Sequence, residues 1–183
     1  PPFGTFGAVI AMDTRRLDRR ALFDIGITGP LAGMVPALVF TLVGIHQSDV
    51  VAIHRGLGGM ELGEPLLFTW LTKLVHGPLP EGFTLLLGPM AYAGWAGLLI
   101  TSLNLIPIGQ LDGGHVLYAL LGKRANTIGS LLLLGAVVAV VLYGYWSWLL
   151  MIFLLAILGP EHPPTADDRA PLGPLRIFLG WLV

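Results

Sequence analysis

Length, composition and charge place this chain in a lipid bilayer. Its 183 residues are 55% hydrophobic and only 11% charged, whereas soluble domains are about 45–50% apolar and about 25% charged. The formal net charge is −1 and the basic residues are scattered in small groups, which excludes a nucleic-acid-binding surface. The chain has no cysteine, so disulfides and thiolate ligands are excluded and any bound metal would need His, Asp or Glu.

The apolar runs predict an all-α, polytopic membrane bundle of about four spans plus a truncated last one, with a short N-terminal β-loop. The β-loop is predicted at residues 4–12, where glycines mix with Thr, Phe, Val and Ile. Residues 13–20 carry four arginines and form an interfacial anchor. Residues 21–45 are the first predicted span, with small-residue packing positions at Gly26, Gly29 and Gly33.

The middle of the chain alternates polar and apolar segments. Residues 46–65 are polar and Gly-rich and predict a loop, and residues 66–75 are too short to cross a bilayer and suit its interface. Residues 83–106 predict the second span, which ends before Pro107. A break follows, and a short helix is predicted from about Gly113 to Leu121, ending on Gly122.

The last third of the chain predicts two further spans. Residues 126–158 are too long for one perpendicular helix and contain an aromatic belt around Gly144, where we expect the chain to turn. A Pro-rich connection covers residues 159–174, and residues 175–183 begin an apolar run that is shorter than a span. We interpret residues 1–183 as a single membrane-embedded domain that is truncated at both ends, because the chain begins Pro1-Pro2 without an initiator Met.

The positions of Lys and Arg predict an orientation. The segments Arg15–Arg20 and Lys123–Arg124 should face the cytoplasm of a bacterial-type cytoplasmic membrane, since short basic segments stay on that side. Arg55 and Lys73 are the only Arg and Lys residues in the segment 46–82, and we expect this segment on the opposite side.

Asp112 is the acidic residue with the most unusual position. It lies in the break between Pro107 and Gly113, and an acid at membrane depth costs about 2.5–3.5 kcal/mol. One interpretation is that Asp112 is the N-cap of the helix that starts at Gly113. The other is that the broken helix lines a cavity in which Asp112 binds a cation. The residues alone leave both interpretations open.

The residues around Asp112 resemble a known motif. Asn104-Leu-Ile-Pro107 followed by Leu111-Asp112-Gly113 is similar to the Asn-x-x-Pro…Leu-Asp-Gly motif of site-2-protease-like intramembrane zinc metalloproteases. Gly4-Thr-Phe-Gly7-Ala resembles the membrane-associated β-loop of that family, and residues 23–33 resemble the start of its third core helix.

The resemblance implies a membrane metalloendopeptidase that uses zinc and hydrolyses peptide bonds within or near transmembrane segments of membrane-protein substrates, in regulated intramembrane proteolysis. It implies that Asp112 is the third zinc ligand. It also implies that Asn104 is a catalytic residue, which positions substrate or stabilises the oxyanion. The β-loop residues that would hold an extended substrate by strand addition are Gly4, Phe6 and Gly7.

The chain departs from that family in one respect. The first two zinc ligands and the general base of such enzymes come from H-E-x-x-H, and none of the five histidines here fits this pattern. In the family that helix precedes the β-loop, so the resemblance implies that it lies before Pro1 and that the given chain is inactive alone. Two alternatives stay open: a non-catalytic relative that binds membrane helices, and an ion-coupled transporter or channel with Asp112 as the ion site.

Three other polar residues receive smaller roles. His115 follows Asp112 by one helical turn; it either contacts the site or, as we favour, hydrogen-bonds a neighbouring helix. His162 lies in the Pro-rich connection and is assigned a structural role. Asp24 is predicted to cap the first span or to pair with an arginine near the headgroups.

Overall fold

The computed structural model describes residues 17–52, 62–63 and 65–183. This part of the chain is mostly helical, as predicted, and contains one two-stranded sheet. The predicted β-loop at residues 4–12, with Gly4, Phe6 and Gly7, lies outside the described residues. The helices are α1 (Arg19–His46), α2 (Leu66–His76), α3 (Pro89–Asn104), α4 (Asp112–Leu121), α5 (Arg124–Tyr143), α6 (Leu149–Leu158) and α7 (Pro174–Leu182).

Two of the described helices, α1 and α5, are long and apolar enough to cross a membrane. Within an apolar 18-residue segment of each helix, only 28% of α1 and 17% of α5 is buried. Most of these side chains therefore need an apolar environment that the described protein does not supply. Exposed apolar surface of this extent marks contact with a membrane or a partner. The first span is therefore supported, and the total of about four spans stays a prediction.

The predicted second span was wrong in its first part. Phe83–Leu86 is a strand, β2, which pairs antiparallel with β1 (Asp49–Ala52), so that Asp49 lies opposite Leu86. The β1 strand was itself predicted as loop. Phe83 and Thr84 favour strands, and Pro89 is a good first residue for the helix that follows. The α3 helix has 16 residues and spans about 24 Å, less than the roughly 30 Å of a bilayer core.

The predicted turn at Gly144 is confirmed. Gly144 adopts φ 71° and ψ 25° at the end of α5, and its N–H bonds to the Val140 carbonyl. This left-handed conformation suits Gly because it has no Cβ. A 3-10 turn at Trp146–Trp148 leads into α6, which has 10 residues.

The chain divides into two compact units. One contains the described residues up to Pro30 together with Leu103–Val183, and the other contains the described residues of Leu31–Ser102. Asn104, Asp112, His115 and His162 all belong to the first unit. The buried apolar core of that unit comprises Leu22, Phe23, Ile27, Val116, Tyr118, Ala119, Ala125 and Leu172.

The second unit is built by close approach of α1 and α3. A Cβ on Gly94 would lie 2.4 Å from the Thr41 backbone nitrogen, and one on Gly44 would lie 2.2 Å from the Ala91 nitrogen. Small residues at helix contacts allow such backbone approach in membrane proteins. The buried apolar core of this unit comprises Ala37, Ile45, Phe68, Leu71, Trp95 and Leu98.

Candidate functional site

The break before Asp112 is a compact turn that glycines make possible. After α3 ends at Asn104, the Leu111 N–H bonds to the Ile108 carbonyl at 3.3 Å, and α4 begins at Asp112. A Cβ on Gly113 would lie 2.1 Å from the Leu105 carbonyl oxygen, and one on Gly114 would lie 2.3 Å from the Gly109 oxygen. The first turn of α4 therefore packs directly on the backbone of the break, which no larger residue at these positions would allow.

Asp112 does not cap α4. The N-cap position is Leu111, and no side chain makes a capping hydrogen bond there. Asp112 is the first helical residue, where its negative charge is favourable near the helix N-terminus. The capping interpretation was wrong. The carboxylate is 28% exposed, and its nearest basic group among the described residues is the His115 ring, with Nδ1 at 4.0 Å from Oδ1.

Two glycines of α1 face the Asp112 turn. A Cβ on Gly29 would lie 3.4 Å from Asp112 Oδ2, and one on Gly26 would lie 2.9 Å from the His115 Cβ and 3.0 Å from the Asp112 carbonyl oxygen. Two of the three predicted packing positions of the first span, Gly26 and Gly29, therefore have a defined partner. At Gly29 the absence of a side chain leaves the carboxylate next to the α1 backbone.

His115 is buried, with 7% exposure, and its Nδ1 has no hydrogen-bond partner among the described residues. The predicted hydrogen bond to a neighbouring helix is therefore not made by Nδ1 in the described part of the chain. Instead, the His115 ring packs edge-on against the His162 ring, with centroids 5.0 Å apart and an interplanar angle of 85°.

The Pro-rich connection returns to α4 and places His162 against it. The His162 ring stacks on Tyr118, with centroids 4.5 Å apart, and its Nδ1 lies 2.6 Å from the Pro163 carbonyl oxygen. The Asn126 side chain accepts a bond from the His162 N–H at 3.0 Å and donates to the His162 carbonyl at 3.3 Å. Burial of the ring lowers the pKa of His162.

Asp168 completes this contact region. Its carboxylate accepts hydrogen bonds from the Tyr118 hydroxyl at 3.1 Å and from the Thr165 hydroxyl at 2.6 Å. Burial raises the pKa of Asp168, but the bonds from Thr165 and Tyr118 and the charge of Lys123 outweigh it, so that its pKa is lowered. Sequence reasoning missed Tyr118, Asn126, Thr165 and Asp168. The only local signal was a polar cluster inside a Pro-rich connection.

Two further predicted residues have clear positions. Asn104 is the last residue of α3 and is partly buried; its proposed role with substrate stays a prediction. The Asp24 carboxylate accepts two hydrogen bonds from the Arg176 guanidinium, both at 2.8 Å. The prediction that Asp24 pairs with an arginine is confirmed.

The described residues do not form a zinc site by themselves. No group of three or more His, Asp or Glu side chains in these ranges is placed to hold a metal ion, whereas catalytic zinc takes three protein ligands. Asp112 offers one suitable oxygen donor. The other ligands of a zinc site would have to come from residues beyond those described.

The Asn-x-x-Pro…Leu-Asp-Gly motif lies on a broken, glycine-packed segment of an apolar helical chain, and it resembles that of site-2-protease-like metalloproteases. Residues 2–144 match the model of peptidase family M50, and the chain therefore belongs to this family, the site-2 protease family.

Curated relatives agree with this assignment. The chain is 31% identical to "Probable zinc metalloprotease EGY2, chloroplastic" of Arabidopsis thaliana, over 98% of this chain and 34% of the relative. It is 32% identical to the rice (Oryza sativa subsp. japonica) "Probable zinc metalloprotease EGY1, chloroplastic", over 94% of this chain and 31% of the relative. The chain thus spans about a third of the length of these relatives. No solved structure matches it.

Proposed function

We propose that this chain is the part of an intramembrane zinc metalloprotease that supplies the Asp112 ligand, in an enzyme that hydrolyses peptide bonds within or near transmembrane segments. The observation that carries the proposal is the state of the Asp112 carboxylate. It caps no helix, pairs with no Lys or Arg among the described residues, and stays 28% exposed in a glycine-packed break. A carboxylate that is costly to bury and has no structural partner is available to bind a cation.

Family membership supports zinc as that cation, as do the names of the relatives. A bound zinc ion would supply an activated water and polarise the scissile carbonyl. For this chain we propose two roles. Asp112 provides one oxygen ligand, and Asn104 presents its amide at the end of α3 to position substrate or stabilise the oxyanion.

A second candidate function is a non-catalytic relative that binds membrane helices without cutting them. It stays open because a catalytic zinc site needs two more ligands and a general base in addition to the 183 residues. Membership in a peptidase family leaves the transporter alternative without comparable support.

The test is Asp112→Asn in a polypeptide that contains this chain and an H-E-x-x-H helix. Cleavage of a membrane-tethered reporter should be lost while folding and membrane insertion persist, because the amide is similar in size but a much poorer metal ligand. Asp24→Asn is the matched control: it neutralises an acid of the same unit that pairs with Arg176, and cleavage should continue.

Full cleavage and full zinc content in Asp112→Asn would refute the ligand role. A wild-type polypeptide that cleaves nothing but retains the reporter helix through detergent purification would support the non-catalytic relative instead. The 183-residue chain alone should bind zinc only weakly, since a single carboxylate cannot replace three ligands.

A further inference from the structure

Two buried histidines next to Asp112 have no role in the proposed function so far. His115 and His162 are only 7% and 4% exposed. In the described part of the chain, His115 Nδ1 and His162 Nε2 have no hydrogen-bond partner. Buried polar atoms are almost always paired, so each of these nitrogens needs an explanation.

The His162 ring is held rigidly. Its Nδ1 lies 2.6 Å from the Pro163 carbonyl, and since a carbonyl only accepts, Nδ1 must carry the proton. Tyr118 stacks on one face, and the Asn126 amide bonds the His162 backbone N–H and carbonyl. A ring held by these contacts is a rigid packing surface for the His115 ring.

His115 packs against the His162 ring. The His162 contact is edge-on at 5.0 Å, and on the opposite element Gly26 comes so close that its Cβ would lie 2.9 Å from the His115 Cβ. The His115 backbone N–H bonds to the Leu111 carbonyl at 2.9 Å. The ring therefore has little room to move away from Asp112.

The remaining gap to Asp112 is small. His115 Nδ1 lies 4.0 Å from Asp112 Oδ1, beyond hydrogen-bond distance. The two residues are three positions apart on one face of α4, where side chains meet. The Asp112 carboxylate has no hydrogen bond to a described residue, so no bond has to break when its side chain turns toward His115.

We propose that His115 is the positioning residue for Asp112: its Nδ1–H donates to Oδ1, and His162 holds the His115 ring in place for this bond. The other oxygen, Oδ2, lies beside Gly29 and stays available as the ligand oxygen. Metal-binding carboxylates are commonly fixed in this way by hydrogen bonds from outside the ligand set. The inference rests on the proposed function for its purpose, but the hydrogen bond can be tested separately.

The first test reads the histidine tautomers by 15N NMR on the 183-residue chain in detergent micelles. Two residues calibrate the spectrum. His76 Nε2 lies 2.7 Å from the Ile45 carbonyl and must carry the proton at Nε2, whereas His162 must carry it at Nδ1. His115, assigned by loss of its signal in His115→Asn, should show the Nδ1–H form and move toward the Nε2–H form in Asp112→Ala.

The same spectra test His162. His162→Phe keeps an aromatic ring against Tyr118 and His115, so the His115 signal should persist; His162→Ala removes the ring, so the signal should broaden or change tautomer. A wild-type His115 in the Nε2–H form, or an Nδ1–H form that Asp112→Ala leaves unchanged, would overturn the proposal. An unchanged His115 signal in His162→Ala would overturn the part assigned to His162.

The second test measures zinc affinity in the natural polypeptide that carries the complete site. The Asn amide nitrogen matches the position of His Nδ1, and the Gln amide matches Nε2, so His115→Asn should bind zinc nearly as well as wild type. His115→Gln should lose about 10- to 100-fold in affinity. Equal losses in both variants would overturn positioning. A wild-type protein that binds no zinc would refute the proposed function, and the tautomer result would still decide the hydrogen bond.

Discussion

Asp112 owes its surroundings to four glycines. Gly113 and Gly114 let the start of α4 pack on the backbone of the break, and Gly26 and Gly29 let α1 approach from the other side. At Gly26, Gly113 and Gly114 a neighbouring atom takes the space of a side chain, whereas at Gly29 a Cβ would make an ordinary contact with the carboxylate. Packing of this kind fixes the backbone at Asp112, from which the carboxylate can turn toward His115.

We predict that two alanine substitutions on α1 differ in their effect on stability, according to the distance between the added methyl group and its nearest neighbour. Gly26→Ala should destabilise the protein by about 1–3 kcal/mol, since the added methyl meets the His115 Cβ and a backbone oxygen. Gly29→Ala meets its nearest atom at 3.4 Å, an ordinary contact, and should be nearly neutral. Thermal unfolding in detergent measures both.

Gly135→Ala on α5 is the control, because no atom lies within 4 Å of its would-be Cβ. It should be neutral or slightly stabilising, since Ala favours helices over Gly by up to about 1 kcal/mol. If Gly26→Ala is as stable as Gly135→Ala, the close approach of α1 to α4 is incorrect.

Among the elements, the connection between α6 and α7 ties several helices together. The Ala166 N–H bonds to the Leu17 carbonyl at 2.9 Å before α1, and Arg20 donates to the Pro171 carbonyl at 2.6 Å. Tyr118 of α4 donates to Asp168. The connection therefore contacts both the start of α1 and Tyr118 of α4 within the same unit.

We predict that this connection loosens in acid in two steps. The folded-state pKa of His162 is lowered from 6.5, so its contribution is complete above about pH 6.5 and is lost as the pH falls through the folded value. The pKa of Asp168 is lowered from 3.8, so its contribution is lost only below about pH 4. Hydrogen exchange of residues 159–173 across this pH range measures both steps.

Two variants test which residue causes each of the two acid steps. His162→Phe keeps the stacking on Tyr118 but cannot be protonated, and should remove the first step. Asp168→Asn should remove the second step, at a cost in stability at neutral pH, because the amide is a weaker acceptor for Tyr118 and Thr165. Identical exchange profiles of wild type and His162→Phe between pH 7 and pH 5 would contradict the assignment to His162.

For the whole molecule, the exposed apolar residues of α1 and α5 indicate the environment that the chain needs. On α5, Leu131, Leu134, Val141 and Leu142 are each at least 59% exposed. On α1, Val35 and Val39 are 64% and 54% exposed. Such helices are stable only where lipid or a partner covers them.

We predict that the chain stays in the membrane pellet after alkaline carbonate extraction, because removing α1 and α5 from lipid would expose their apolar faces to water. Fractionation followed by immunoblotting measures this. The control is a soluble protein tethered by charge alone, which carbonate releases. Recovery of the chain as a monodisperse soluble monomer would contradict membrane integration.

We also predict that Arg55 and Lys123 face opposite sides of the membrane, following the distribution of basic residues. The chain has no cysteine, so Arg55→Cys and Lys123→Cys each introduce a single labelling site. An impermeant thiol reagent applied to intact cells should label only one of the two variants before permeabilisation. Labelling of both variants, or of neither, would refute this orientation.

The sequence by itself determined those features that depend on residues close together along the chain. The apolar run of α1, the helix after Pro107 that ends at Gly122, and the turn at Gly144 follow from local periodicity, proline geometry and the freedom of Gly at positive φ. Asp112 was identified from sequence because an isolated acid between Pro107 and Gly113 belongs to a compact local motif.

Only the tertiary structure decided features that join distant segments. Phe83–Leu86 is a strand because Asp49–Ala52 supplies its hydrogen-bond partners, and no local pattern reveals that partner. In the same way, His162 contacts His115 and Tyr118 because the Pro-rich connection folds back onto α4. Local sequence encodes backbone conformation, but the surroundings of a buried side chain depend on which segments pack together, and here that packing determines how the Asp112 carboxylate is held.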